Sequence, residues 1–290
     1  MSELAVPGMD LAALRRALAE DIGAGDVTTL ATVPEGTRAA GQIVARESGV
    51  VAGLPVVAAV FHLLDPAVSF TPLVKEGAVV AGGAALAALD GDARAILTGE
   101  RTALNYLGRL SGIATLAARC AQAVAGTGAR VVDTRKTTPG LRALEKYAVR
   151  TGGASNHRFG LSDGVLIKDN HIKAAGGIAA AVAGARRLAS HLLRVEVECE
   201  TETEVREALA AGADVILLDN MPLAALGAAV RLIRAQAPAV KVEASGGIGT
   251  DPARLRAVAE TGVDYISLGA LTHSAPSFDV SLEFGAPPAS

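Results

Sequence analysis

Six short runs of branched aliphatic residues, separated by helical segments, occupy the chain from about residue 128 onward. The predicted strands are 130–134, 165–169, 194–200, 214–219, 241–245 and 264–268. Strands that alternate with helices predict βα units and a parallel sheet. Six such units indicate a closed or nearly closed α/β barrel. A doubly wound open sheet is the alternative, which is less favoured because no GxGxxG motif follows the first strand.

The helices between these strands carry recognisable ends. Pro139 is expected to open one helix, which Gly152 and the following glycine close. Thr201 predicts an N-cap with Glu204 in a capping box. Asp251, followed by proline, predicts the start of the last of these helices.

The first 110 residues are less regular. We expect a helix over 10–19 and short strands at 40–46, 50–52 and 79–81. A long apolar helical stretch follows over 95–124, with a break expected near Ser111 and Gly112.

Composition and charge restrict the class of ligand. Half of the 290 residues are hydrophobic and only 3% are aromatic, so small aliphatic residues must fill the core. The formal net charge of -3 argues against a general nucleic-acid binder. However, residues 130–173 carry a net charge of +5 against -8 for the rest of the chain. This basic segment indicates either an anionic ligand or a solvated surface.

Cysteine usage and the N-terminus predict a cytoplasmic location. Cys120 and Cys199 stand alone, without a CxxC motif, which suits a reducing compartment. The first ten residues contain Glu3 and no basic cluster, so a signal peptide is not expected. The longest charge-free apolar stretch, 48–64, is interrupted by glycines and a proline and is too short to span a bilayer.

Polar or glycine-rich chemistry follows the predicted strands. In α/β barrels the carboxyl ends of the strands form the active site, and loops after the last strands often bind phosphate. The residues at these positions are Thr134, Arg135, Lys136, Lys168, Asp219, Ser245, Gly246, Gly247, Ser267, Leu268 and Gly269.

The third predicted strand places carboxylates inside the barrel. Side chains alternate across a strand, so Glu196, Glu198 and Glu200 are expected to share the inward face, and Val195 and Cys199 the outer one. Buried carboxylates need cations, hydrogen-bond donors or a metal. Internal salt bridges to the basic strands are the alternative to a catalytic role.

The basic residues predict an anionic ligand at the barrel mouth. Arg135, Lys136, Arg158 and Lys168 could converge there, and a small dicarboxylate together with phosphates would match them. His157 precedes Arg158 in the loop TGGASNHRFG and is expected to be a hydrogen-bond donor rather than a metal ligand.

Long motifs resemble one enzyme family over nearly the whole chain. These motifs occur in order and are similar to the motifs of quinolinate phosphoribosyltransferases. They are EDIGAGDVTT, ERTALNYLGRLSGIAT, TRKTTPGLRALEKYAVRTGG, NHRFGLSDGVLIKDNHI, VEVECET, DVILLDNM, VEASGGI and DYISLGALTHS. The resemblance implies an α/β protein with an N-terminal α/β sandwich over 1–112, joined by the tail 274–290, and an open α/β barrel over 113–273.

The resemblance also implies the reaction and the role of each residue. Quinolinate and phosphoribosyl pyrophosphate would give nicotinate mononucleotide, pyrophosphate and carbon dioxide with Mg²⁺, in NAD biosynthesis. By this resemblance, Arg135, Arg158 and Lys168 would bind quinolinate, together with Arg101 from the partner subunit of a homodimer. Lys136 would contact the pyrophosphate, and Glu198 and Asp219 would contact the ribose and magnesium. The 5′-phosphate would be bound by Ser245, Gly246, Gly247 and Gly269. Assembly of dimers into larger oligomers stays open.

Three other readings compete with this function. One is the related phosphoribosyltransferase-like protein of molybdenum-transport operons, against which the full TRKTTPGLR and NHR motifs argue. A Schiff-base lyase using Lys168 is another. A non-enzymatic binding barrel is the third, disfavoured by the inward carboxylates.

Overall fold

The structure is a computed structural model that describes Val6 and residues 8–285. The first of two compact units extends to Ala118 and includes Thr138–Gly153 and the residues from Ser274. The second comprises Arg119–Thr137 and Ala154–His273. The boundaries expected from the sequence differ from these units chiefly at Thr138–Gly153. Glu3, on which the expectation about a signal peptide rests, lies outside the described residues. So do residues 286–290 of the expected tail.

The regular elements follow one another as two series. The elements up to residue 125 are α1 (Leu11–Ile22), α2 (Val27–Thr32), β1 (Arg38–Ala45), β2 (Gly49–Val50), α3 (Leu54–Leu64), β3 (Ser69–Pro72), β4 (Val79–Val80), β5 (Ala85–Asp92) and α4 (Ala93–Ala123). The later elements are β6 (Arg130–Val132), α5 (Arg142–Thr151), β7 (Val165–Ile167), α6 (Asp169–Ala175), α7 (Ile178–Leu188), β8 (Val195–Cys199), α8 (Glu202–Ala210), β9 (Val215–Asp219), α9 (Leu223–Gln236), β10 (Lys241–Ser245), α10 (Pro252–Ala259), β11 (Tyr265–Ser267), α11 (Ala270–His273) and β12 (Val280–Gly285).

The first unit is built on an antiparallel sheet in the order β12-β1-β5-β3. Ile43 of β1 and Leu86 of β5 are fully buried in its core. β12 pairs with β1 from Ala40↔Gly285 to Ala45↔Val280, so the tail completes this sheet. The sequence did not predict β5, because alanine is a poor strand former and tertiary pairing overrides that preference.

The second unit is an open parallel barrel. Its six strands follow the order β6-β11-β10-β9-β8-β7, so from β7 to β11 each strand lies beside the next one in sequence, and β6 lies beside β11. In a doubly wound sheet the order of the strands would instead reverse in the middle of the sheet. β6 and β7, both fully described, form no ladder with each other, and the barrel is open between them. The predicted barrel is therefore confirmed.

Two helix N-caps, at Thr201 and Asp251, lie where the sequence predicts them. The Thr201 hydroxyl accepts a hydrogen bond from the Glu204 amide at 3.2 Å, and the Glu204 carboxylate accepts from the Thr201 amide at 3.0 Å. The Asp251 carboxylate accepts from the Arg254 amide at 2.8 Å. These bonds satisfy amides that the first helical turn leaves unpaired.

The expected helix start at Pro139 is wrong. α5 begins at Arg142, after a turn in which the Leu141 amide donates to the Thr138 carbonyl at 3.0 Å. The carboxylate of Glu145 accepts hydrogen bonds from the amide and hydroxyl of Thr138. This side chain therefore holds the segment in a turn before the helix begins.

The expected break in α4 at Ser111 and Gly112 is also wrong, since the helix runs without interruption from Ala93 to Ala123. The Ser111 hydroxyl exchanges hydrogen bonds with the amide and carbonyl of Ala52. A Cβ on Gly112 would lie 1.9 Å from the Pro276 carbonyl oxygen. Both residues therefore serve close contacts with distant segments.

None of the helices among the described residues combines the length and the apolar character that crossing a bilayer requires.

Replacing Gly112 by alanine should destabilise the first unit, although Gly→Ala in a helix ordinarily stabilises by about 1 kcal/mol. We expect a loss of about 2 kcal/mol, the usual cost of overpacking. The measurement is the free energy of unfolding in urea. The control is Gly184→Ala in α7, where the new methyl meets only the tip of Arg187 at 3.8 Å and should stabilise. A Gly112→Ala protein as stable as wild type would contradict this packing.

Candidate active site

A cavity of about 390 Å³ lies at the carboxyl ends of the barrel strands. Most of the predicted site residues line it: Thr134, Arg135, Lys136, His157, Arg158, Lys168, Glu198, Asp219, Ser245, Gly246, Gly247 and Ser267. The further lining residues are Leu166, Leu217, Asn220 and Glu243. The structure thus brings together side chains that lie up to 133 positions apart in sequence, between Thr134 and Ser267.

Three predicted site residues do not line this cavity. A Cβ on Gly269 would lie 2.9 Å from Cδ of Lys136, so the glycine leaves room for that side chain. Leu268 is buried, and its amide donates to the Val132 carbonyl at 2.9 Å. Arg101 is exposed on α4 of the first unit.

A tight turn at the ends of β9 and β10 forms the glycine-rich wall. Ser245 pairs with Asp219 in the parallel register, and the Asn220 amide donates to the Ser245 carbonyl at 3.0 Å. Asn220 is the one non-glycine residue of the described chain in the left-handed region, with φ 53°. Its side-chain amide donates to the Asp219 carboxylate at 2.6 Å. Gly246, with φ 80°, lies against Asn220 and exposes backbone to the cavity.

The cavity wall opposite is cationic. Burial, and then the like charge of Arg135, lower the pKa of Arg158. The Arg158 guanidinium donates to the Gly164 carbonyl at 2.9 Å, which fixes its direction. Lys168 forms an ion pair with Glu198, whose side chain is mostly buried. An anion in the cavity would relieve the repulsion between the two guanidinium groups.

The inward carboxylates are partly as predicted. Val195 and Cys199 of β8 are buried on the outer face, while Glu196 is buried and Glu198 lines the cavity. The pair between Glu198 and Lys168 matches the salt-bridge alternative. Glu200 was wrongly placed inside the barrel: it follows the end of β8, is exposed, and donates its amide to the capping carboxylate of α8.

Two acidic residues of this region were missed by sequence reasoning. Glu243 is buried and lies 3.6 Å from Nε2 of His157. Its position two residues before Ser245 puts both on one face of β10, which was a usable signal. Asp133 is fully buried and accepts hydrogen bonds from the His157 amide at 2.8 Å and from the Asn156 side chain at 2.6 Å. No pattern in the sequence marks that role.

Family models, relatives and a solved structure of one enzyme family match most of this chain. The family model for the N-terminal domain of quinolinate phosphoribosyl transferase matches residues 26–111, and that for its C-terminal domain matches 113–283. A relative from Synechocystis sp. named probable nicotinate-nucleotide pyrophosphorylase (carboxylating) is 48% identical over 93% of this chain and 90% of its own. The human nicotinate-nucleotide pyrophosphorylase (carboxylating) is 45% identical over 82% and 80%. The solved structure of the nicotinate-nucleotide pyrophosphorylase from Francisella tularensis superposes with a TM-score of 0.89 and 40% identity, covering 95% of each chain.

Replacing Gly246 by alanine should disrupt the turn twice over, through its positive φ and through a methyl 2.4 Å from Oδ1 of Asn220. Gly249 has a similar φ of 74° with nothing within 4 Å of a Cβ, so Gly249→Ala is the control for backbone strain alone. We expect Gly249→Ala to cost roughly 1 kcal/mol of unfolding free energy. Gly246→Ala should cost about 2 kcal/mol more. Equal losses in urea denaturation would show that the turn does not depend on this contact.

Proposed function

Because the chain belongs to the quinolinate phosphoribosyl transferase family, we propose that its cavity joins quinolinate to phosphoribosyl pyrophosphate, yielding nicotinate mononucleotide, pyrophosphate and carbon dioxide in NAD biosynthesis. One observation carries the assignment of this reaction to the cavity. Four cationic side chains, three acidic ones and a glycine-rich turn line the same 390 Å³ space. A dicarboxylate, a sugar that becomes cationic and a phosphate have complementary chemistry.

Quinolinate would occupy the cationic wall. Arg135 and Arg158 can bind planar carboxylates in a bidentate manner, and Lys168 adds a point charge. His157 adjoins Arg158 and lines the same cavity. Holding both carboxylates fixes the ring, so that its nitrogen can approach the sugar in a reactive geometry.

The sugar phosphate would lie against the opposite wall. The backbone amides at Gly246 and Gly247 can donate to the 5′-phosphate because no side chain blocks the approach. Ser245 and Ser267 add hydroxyl groups, and Gly269 makes room for Lys136, which would contact the pyrophosphate.

Carboxylates would stabilise the transition state. As the bond from the sugar carbon C1 to pyrophosphate breaks, positive charge develops on the ribose, and Glu198 and Asp219 supply negative charge beside it. The pyridine nitrogen forms the new bond to C1 and becomes cationic. The bond from ring carbon C2 to its carboxylate then breaks, carbon dioxide leaves, and C2 takes up a proton.

Mg²⁺ is the cation that these acids would hold. Glu198 and Asp219 both line the cavity, and oxygen ligands from one or two carboxylates together with substrate phosphates suit this ion. The contact could be direct or through water or substrate. When bound, the ion would offset the negative charge of pyrophosphate.

We further propose a homodimer with composite sites in the cytoplasm. Arg101 is exposed on α4 and would complete the quinolinate clamp of the partner subunit. Cys120 and Cys199 are buried and free, which favours a reducing compartment. Burial raises the pKa of Cys199 to about 12, so this thiol is no nucleophile.

Quinolinate should be converted to nicotinate mononucleotide far faster than nicotinate is, because losing one carboxylate leaves a cation of the clamp unpaired. The rates are measured with phosphoribosyl pyrophosphate and each acid, following mononucleotide by chromatography. Lys168→Ala should lose most of the quinolinate activity. Lys173→Ala is the control, because this lysine pairs with Asp169 and does not line the cavity. No product from quinolinate would refute the function, and equal use of nicotinate would refute the clamp.

Arg101→Ala and Lys136→Ala should each be nearly inactive, yet a refolded mixture should regain activity. In a heterodimer one composite site carries both defects and the other carries neither. Random pairing makes about half of the dimers mixed, so activity should return to roughly a quarter of wild type. Heterodimers that form but stay inactive would show that Arg101 does not act across subunits.

A further inference from the structure

A buried cluster of two glutamates and a histidine lies within the barrel, and the proposed reaction leaves its two acids without a role. Nε2 of His157 is 3.3 Å from Oε2 of Glu196 on β8 and 3.6 Å from Oε2 of Glu243 on β10. Only 7% and 4% of the two glutamates are exposed. Oε1 of each glutamate is buried without a hydrogen-bond partner. Buried carboxyl groups of this kind are costly, and their presence calls for a function.

The cluster has an excess of negative charge unless a proton or a cation compensates it. Burial, and next the neighbouring Glu196, raise the pKa of Glu243 to about 7. A proton on Glu243 is therefore one way to balance the charge. A divalent cation is the other way to balance the charge, since the three ligand atoms lie within 4.8 Å of one another.

The tautomer of His157 argues against a metal cation at this cluster. Nδ1 of His157 accepts a hydrogen bond from the Arg158 amide at 2.7 Å, so the proton of a neutral ring lies on Nε2. That proton points at both glutamates. A metal would need the Nε2 lone pair, which this tautomer does not offer. The geometry thus favours a hydrogen bond from Nε2 to Glu196, with Glu243 slightly farther away.

The same segment is also fixed through its backbone. Asp133 accepts hydrogen bonds from the His157 amide and the Asn156 side chain, at 2.8 and 2.6 Å. Arg158 follows directly, and both His157 and Arg158 line the cavity. Asp133 therefore holds the backbone of this segment, whereas the two glutamates lie beside the ring of His157.

We propose that Glu196 and Glu243 are positioning residues that hold the His157 ring, and through it the adjoining Arg158, in place for quinolinate. This role rests on the proposed function of the cavity. The glutamates themselves need not touch the substrate. Because they act on the cationic wall, their loss should weaken the binding of quinolinate more than that of the sugar phosphate, although Glu243 also contacts Ser267.

The test compares amide and aliphatic replacements at both acids. Glu196→Gln and Glu243→Gln keep an oxygen that accepts the Nε2 proton, so each should stay within about threefold of wild type in KM for quinolinate. The double variant Glu196→Leu with Glu243→Leu keeps volume but removes both acceptors. Its KM for quinolinate should rise roughly tenfold or more, and its KM for phosphoribosyl pyrophosphate should change less than about threefold. Circular dichroism and urea unfolding monitor the fold.

Three kinetic results would overturn the proposal. They are an unchanged KM for quinolinate in the Leu variant, an equal rise of KM for both substrates, and amide variants as impaired as the Leu variant. A stoichiometric divalent metal in the purified wild-type protein, lost in Glu243→Leu, would show a cation site instead. If the wild-type protein makes no product, the proposed function fails independently of this cluster.

A second readout needs neither activity nor a stable Leu variant. ¹H–¹⁵N correlation spectra of the histidine-labelled wild-type protein report which ring nitrogen carries the proton, and His157→Gln assigns the signal. We expect the Nε2–H tautomer for His157. The Nδ1–H tautomer, with Nε2 as an acceptor, would contradict the hydrogen-bonding role of the two glutamates.

Discussion

Parallel pairing of six strands brings chemistry from distant parts of the chain to one edge of the sheet. The register sets Ser245 beside Asp219, and the strands of Glu198 and Asp219 are direct neighbours. Side chains at the strand ends therefore converge without long loops to hold them. On the open side of β6, Ser155, just before the segment that carries His157 and Arg158, bridges to Val132.

The part of the structure that depends on this register was readable from the sequence. Alternation of aliphatic runs with helices predicted the six strands, and the polar residues that follow them predicted Arg135, Lys168 and Asp219. A residue after a parallel strand has little choice of position, so its place at the cavity follows from the pattern alone. The glycine-rich turn after β10 was predictable for the same reason.

The errors arose where distant contacts decide a local structure. Ser111 and Gly112 have the composition of a helix break, yet they serve contacts with Ala52 and Pro276 inside an intact helix. The turn at Thr138 depends on Glu145, which no cap rule describes. Glu200 was one residue beyond the end of its strand, where alternation no longer applies.

Buried acids connect the fold to the site. Asp133, Glu196 and Glu243 are each less than 8% exposed, and they surround the segment that carries His157. Apolar residues of similar volume would often make a core more stable than buried charge does. Their location beside the cavity agrees with the positioning role that we propose for Glu196 and Glu243.

We propose that quinolinate binds the cationic wall of the cavity, where Lys168 contacts one of its carboxylates. A crystal structure of the protein with quinolinate bound tests it most directly. We expect the Lys168 ammonium within hydrogen-bonding distance of a substrate carboxylate. A complex in which Lys168 stays paired with Glu198 while quinolinate lies elsewhere would contradict it.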